Sequence, residues 1–232
     1  MTLYGGPAVA GPDGLTYGVL LADLDADDLA ARLAEARFTG LTGPRTGRWS
    51  VAVADDPLGH VASGRRRLFD LAADLATDPA TDPTTGAGTS VAGVAVVRDR
   101  LLRIWAGTGA HQVVDYVSDP TVADLDDDEA TDTPTGADDA PALAAWAGTP
   151  DAARDVLVLL GETLGESQNE SERLHELCRL LRWPEWLVSV DSLPRRLPGG
   201  PDPATFTRLK AGRTGVSGWA AERASRVVRR RE

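Results

Sequence analysis

Between Asp119 and Asp139 the chain carries nine acidic residues and no basic one, with Thr, Pro and Gly among them. A stretch of this kind cannot bury enough apolar surface to offset the entropy of ordering it. Any core must therefore come from the residues on either side. Residues 121–140 read as an acidic linker between a domain at 1–120 and a region at 141–232. A length of 232 residues allows one large domain or two small ones.

Before the linker, apolar residues come in short runs. Leu15–Leu21 is one, and Asp25 and Asp28 follow it ahead of Leu29, Ala30, Leu33 and Ala34, so a strand feeding a capped helix is expected. After the turn-rich Thr39–Gly47, Arg48–Ala54 alternates Trp49, Val51 and Val53 with Ser50, Ala52 and Ala54, which makes a first βαβ candidate. Leu68, Leu71, Ala72 and Leu75 form a one-sided stripe that predicts a helix over Arg65–Ala76. Arg65, Arg66 and Arg67 then occupy its first turn, against the preference of the helix dipole. Thr77–Ser90 reads as a loop, and Val91–Val97, Leu101–Ala106 and His111–Val117 as an antiparallel meander. The expectation is an α/β fold, with α+β as the alternative: a mixed β-sheet domain in the order βαβαβββ.

Beyond the linker the spacing turns helical, at Pro141–Ala147, at Asp151–Leu164 with Leu157, Leu160 and Leu164 on one side, and at Ser171–Arg182. In the last of these Leu174, Leu177, Cys178 and Leu181 form a stripe, and Pro184 sets the end. Trp186–Val190 is short and apolar, Leu193–Pro203 is a Pro- and Gly-rich loop, and Val216–Arg231 predicts a basic helix. This half reads as a small helical region with a basic C-terminal tail.

Charge divides the chain the same way. Met1–Val190 holds 14 Arg against 31 acidic residues, whereas Asp191–Glu232 holds 10 basic residues against 4 acidic. The acidic body repels nucleic acid and anionic lipid, so neither is expected as a partner except through the tail arginines Arg223, Arg226, Arg229, Arg230 and Arg231. The apolar runs fall short of the roughly 20 residues that cross a bilayer, and Met1–Gly14 lacks the pattern of a secretion signal. One cysteine, Cys178, makes neither an internal disulfide nor, with three histidines, a structural zinc site. A cytoplasmic protein without metal or cofactor is expected. With 23 Arg to one Lys, the chain also has the codon bias of a GC-rich bacterial genome.

Several motifs invite a chemical reading. Val19–Asp25, an apolar strand entering Asp-x-Asp, resembles the first motif of the haloacid dehalogenase-like phosphohydrolases. That resemblance implies Asp23 as nucleophile, Asp25 as general acid and a magnesium ion, with Asp55 and Asp56 as a second acidic pair. Ala26-Asp27 stands where the family has Gly-Thr, and Lys210 is the one lysine to stabilise phosphate, so an Asp cap and a solvated turn are the preferred reading. His175 and Cys178 lie three apart on one helix, as a base and thiol would, but Cys178 falls in the leucine stripe and reads as core. His60 and His111 have no catalytic partner at a telling spacing, neither Asp23–Asp28 nor Asp124–Glu129 fits a calcium loop, and the Gly86/Gly88 and Gly107/Gly109 pairs read as turns.

Trp146, Trp183, Trp186 and Trp219 lie in the C-terminal part. Trp183-Pro184-Glu185-Trp186, beside Arg195-Arg196, has the composition of a protein-binding surface or of a small aromatic core. Glu170–Leu174, Leu180–Val188, Ser192–Arg195 and Pro198–Pro201, with Val97–Arg100 and Tyr116–Pro120, resemble uncharacterised proteins of GC-rich actinobacteria, a resemblance that implies no activity, cofactor or site residue. The expected function is a noncatalytic protein-binding or regulatory module that uses Trp183, Trp186, Arg195, Arg196 and Trp219, with no catalytic residue. A magnesium-dependent phosphohydrolase using Asp23 and Asp25, and a nucleic-acid-associated protein using the C-terminal arginines, are the alternatives.

Overall fold

Tyr17–Ala22 (β1) is buried along its whole length. Tyr17, Val19 and Leu21 face one hydrophobic cluster and Leu20 and Ala22 the other. A strand covered on both faces has no polar side, which is why this run is continuously apolar. The computed structural model describes residues 14–78, 88–123, 133–163, 169–193 and 195–210. In chain order β1 is followed by α1 (Ala26–Glu35), β2 (Gly40–Thr42), β3 (Ser50–Ala54), α2 (Leu68–Thr77), β4 (Ser90–Val97), β5 (Leu101–Thr108) and β6 (His111–Val117). Then come α3 (Pro120–Ala123), α4 (Ala140–Ala147), α5 (Ala153–Gly161), α6 (Glu170–Leu181), a 3₁₀ helix over Glu185–Ser192, and β7 (Thr207–Leu209).

The strands form one seven-stranded sheet in the order β6-β5-β4-β1-β3-β2-β7. The α/β composition and the β4–β5–β6 meander are as expected, and every pairing is antiparallel. The opening strand, helix and strand are thus not a parallel crossover unit. β3 returns beside β1 with Ala22 opposite Ser50, and the intervening turn-rich residues supply β2, which pairs with β3. The chain's C-terminal part provides β7 on the far side of β2.

Helices cover both faces. α1 and α2 bury Leu29, Leu33, Leu68, Leu71 and Leu75 against one. On the other, Leu143 and Ala144 of α4, Val156 and Leu160 of α5, and Leu174, Leu177, Cys178 and Leu181 of α6 join one cluster with Val19, Val94 and Ile104. The C-terminal helices therefore share their core with the sheet and do not build one of their own. Residues 133–139 of the expected linker are also attached to it, since Thr135 exchanges both backbone hydrogen bonds with Val117 of the edge strand β6.

Three helix readings change. α2 begins at Leu68, so Arg65–Arg67 precede it, and Asp70 closes its first turn by accepting from the Arg67 N–H at 3.0 Å. Asp25 sits at the N-cap position of α1, but its carboxylate pairs with Arg45 and makes no cap bond. On α5 the buried pair is Val156 and Leu160, four apart, while Leu157 is 38% exposed. Leu164, Thr77–Ser90 in its central part, and the expected helix Val216–Arg231 lie outside the described residues.

Candidate functional site

The segment after α6 is bound to the sheet by its large side chains. Arg182 turns the chain in the left-handed region at φ 53°, and the Trp183 N–H closes the helix on the Cys178 carbonyl at 2.9 Å. Trp183 and Trp186 do not face solvent: they are only 3% and 4% exposed and lie in the core with Leu187, Val190 and Leu197. Phe206 packs edge-on against Trp186 at 5.9 Å, and Gly200 lies so close that a Cβ there would stand 2.9 Å from the indole. Among the described residues neither indole Nε1–H finds an acceptor. Between these anchors Arg195 and Arg196 are exposed, and Leu197 plugs the same loop into the core. Of the candidate binding residues the structure thus displays Arg195 and Arg196, buries Trp183 and Trp186, and leaves Trp219 outside the described residues.

The acidic pairs are held apart. Asp23 accepts from Arg48 at 2.8 Å and Arg45 at 3.1 Å, and Arg45 reaches Asp25 at 2.7 Å. Arg48 also lies over the Trp49 ring at 4.6 Å, and Trp49 packs on Trp146 at 5.2 Å, so these charges fasten the loop before β3 to α4. With Ala22 opposite Ser50, Asp23 leaves the sheet at the level of Trp49. Asp55 follows β3 at its other end, roughly 20 Å away at the rise of an extended strand, where it pairs with Arg208 at 2.6 Å. Asp23 and Asp25 therefore do not converge with Asp55 or Asp56, as a phosphohydrolase centre requires. His175 faces Glu185 at 3.5 Å on the surface, whereas Cys178 is fully buried, and burial pushes its thiol pKa far up. An imidazole and a thiol so placed form no catalytic pair.

A buried polar network under the α6 N-terminus was not anticipated. Asn169 caps the helix by accepting from the Glu172 N–H at 2.9 Å, and the Asp99 carboxylate accepts from the Ser171 N–H at 3.0 Å and hydroxyl at 2.5 Å. The Tyr17 hydroxyl, 3.1 Å from Ser171 Oγ, completes the chain as donor. Behind it Arg173, 4% exposed, donates to the Tyr116 hydroxyl and to the Glu162 carbonyl, and lies 3.4 Å from Glu170 Oε2. Burial pushes Tyr116 up to about 12, and desolvation outweighs Ser118 and Arg173 in raising Glu170 above the ordinary carboxylate range. Glu170 is 1% exposed, and its Oε2 has no hydrogen bond among the described residues. In sequence Glu170 and Arg173 pass for a surface pair at i, i+3. The one local signal was Asp99 in the Val97–Arg100 turn, a residue that tolerates the left-handed region, here at φ 56°. The network's chemistry is that of a latch, joining α6 to the β4–β5 turn.

Among the described residues no group of His, Cys, Asp and Glu is arranged to hold a metal ion, and no helix is long and apolar enough to cross a membrane. No protein-family model matches the chain, and no curated protein or solved structure gives a significant match.

Proposed function

We propose that the protein is a noncatalytic protein-binding or regulatory module of a bacterial cytoplasm, and that it meets its partner through the loop carrying Arg195 and Arg196. The supporting observation is how that loop is mounted. Leu197, Trp186 and Phe206 fix it from below, and β7 ties its exit to the sheet. A loop on a rigid base binds with little ordering cost, and arginine forks suit carboxylate and carbonyl partners. The tryptophans contribute as mounts and not as contacts. Trp219 is the one candidate aromatic that this account leaves for direct contact.

The test is affinity purification of the tagged full chain from its host, with wild type beside Arg195→Ala/Arg196→Ala. The reading requires a stoichiometric protein partner that the double variant loses at unchanged melting temperature. Absence of a partner from the wild type, or its full retention by the variant, contradicts it.

A further inference from the structure

The register brings several unpaired arginines to one end of the sheet. Tyr17 pairs with Val96, and Gly40 with both Ala54 and Leu209, so the β4–β5 turn, the start of β2 and the end of β3 share that end. The Thr39 N–H bonds the Val61 carbonyl and the Val61 N–H the Arg66 carbonyl, which brings the 61–67 segment there too. The Ala36 carbonyl accepts from the Ser63 N–H, the Ser63 hydroxyl and Arg66 Nη2, so Arg37 stands beside Arg65–Arg67.

Arg37, Arg65, Arg67, Arg98 and Arg100 are exposed, and none forms a hydrogen bond or ion pair through its side chain among the described residues. By contrast the carboxylates at this end are engaged: Asp55 with Arg208, Asp56 with the Gly59 N–H, Asp70 with the Arg67 N–H and Asp99 with Ser171. Glu35, and Glu172 in the first turn of α6 next to the Asp99–Ser171 contact, are exposed and without a side-chain partner among the described residues. Stability does not account for the arginines. Arg37, Arg65 and Arg98 have φ of 55°, 59° and 52°, where glycine would cost less, and Arg67 caps a helix N-terminus that disfavours a cation. Arg37 holds the glycine position of a helix-ending turn, with its own N–H on the Ala34 carbonyl and the Phe38 N–H on the Leu33 carbonyl. A Cβ added to Gly64, between Ser63 and Arg65, would meet nothing within 4 Å, so the backbone beside Arg65 is open to a partner.

We propose that this end of the sheet docks a short acidic segment of a partner protein, held by the guanidinium groups of Arg37, Arg65, Arg67, Arg98 and Arg100. This surface is separate from the Arg195–Arg196 loop and does not depend on it. From β4 through β1 and β3 to β2 is three strand spacings, about 14 Å, which four or five extended residues span. Length also selects the ligand class. Residues 1–190 carry 31 acidic residues against 14 arginines, so a long polyanion such as a duplex would run from the patch onto repelling surface. A short carboxylate-bearing segment covers the patch alone.

Titration of the ¹⁵N-labelled full chain with a decapeptide of alternating Glu and Asp tests this by NMR. Amide shifts should concentrate on residues 36–39, 63–70 and 98–100, and binding should weaken with salt. Arg37→Gly/Arg65→Gly/Arg98→Gly should bind at least about tenfold more weakly, a loss of about 1.4 kcal/mol, while melting no lower than wild type because glycine relieves the left-handed backbone. Arg154→Ala/Arg182→Gly, which removes charge elsewhere, should bind like wild type. The proposal is overturned by shifts elsewhere or none, by a triple variant that binds normally, or by a control that weakens equally. Tighter binding of a 12-base-pair duplex than of the peptide, lost in the triple variant, overturns the choice of an acidic peptide.

Discussion

Trp186→Ala separates a core tryptophan from a contact tryptophan. The side chain is 4% exposed, packs edge-on against Phe206 and supports Gly200. A buried tryptophan removes about 200 Å² from water, which at about 25 cal/mol per Å² sets an upper bound of about 5 kcal/mol. Truncations of this kind cost about 3 to 5 kcal/mol, or a melting temperature lower by roughly 10 °C in a chain of this size. The orphan Nε1–H supplies an internal control. An unmade buried hydrogen bond costs about 1 to 3 kcal/mol, and Trp186→Phe deletes that donor while keeping most of the apolar volume. The two effects oppose, so Trp186→Phe should stay within about 1.5 kcal/mol of wild type. Urea unfolding followed by circular dichroism reads both variants. A Trp186→Ala loss below about 1 kcal/mol, or equal losses for Ala and Phe, would refute the buried-anchor argument.

Three further outcomes follow from the same contacts. Asp23→Asn removes the carboxylate shared by Arg45 and Arg48; because these groups are partly exposed, the loss should be about 1 kcal/mol or less and shrink in high salt, as thermal melts at two salt concentrations would show. Asp99→Asn keeps a residue that tolerates the left-handed turn but weakens the bonds to Ser171; a loss of about 1 to 2 kcal/mol, with faster amide exchange in the first turn of α6 than in α4, is expected. Glu170 has its pKa raised by burial, so the native state holds this proton more tightly than the unfolded chain does, and stability from this group falls as pH rises from the ordinary carboxylate value through the raised one. The pH dependence of unfolding in wild type minus that in Glu170→Gln should show that downward slope, and an upward slope would contradict it.

Elements with enough periodicity were legible in the sequence. The stripe Leu174, Leu177, Cys178 and Leu181 is the buried face of α6, and β4–β6 pair as the alternating runs suggest. β2 and β7 were not, because Gly40–Thr42 and Thr207–Leu209 are three residues each and show no alternation. Their strand character comes from partners distant in sequence. The same holds for the antiparallel return of β3 on β1, which separates Asp23 from Asp55. Trp183 and Trp186 lie on a bend and a 3₁₀ turn, where no helical or strand period assigns a face. Only the packing of that segment on the sheet decides that they point inward.

The functional reading depends on the C-terminal segment being part of the sheet's core, and native-state hydrogen exchange measures this most directly. Amides of α6 and of the 3₁₀ helix Glu185–Ser192 should open in the same cooperative unit, and with the same free energy, as those of β1 and β4. If residues 170–209 instead exchange as a separate unit of much lower stability, the mount for Arg195 and Arg196 is not rigid and the account fails.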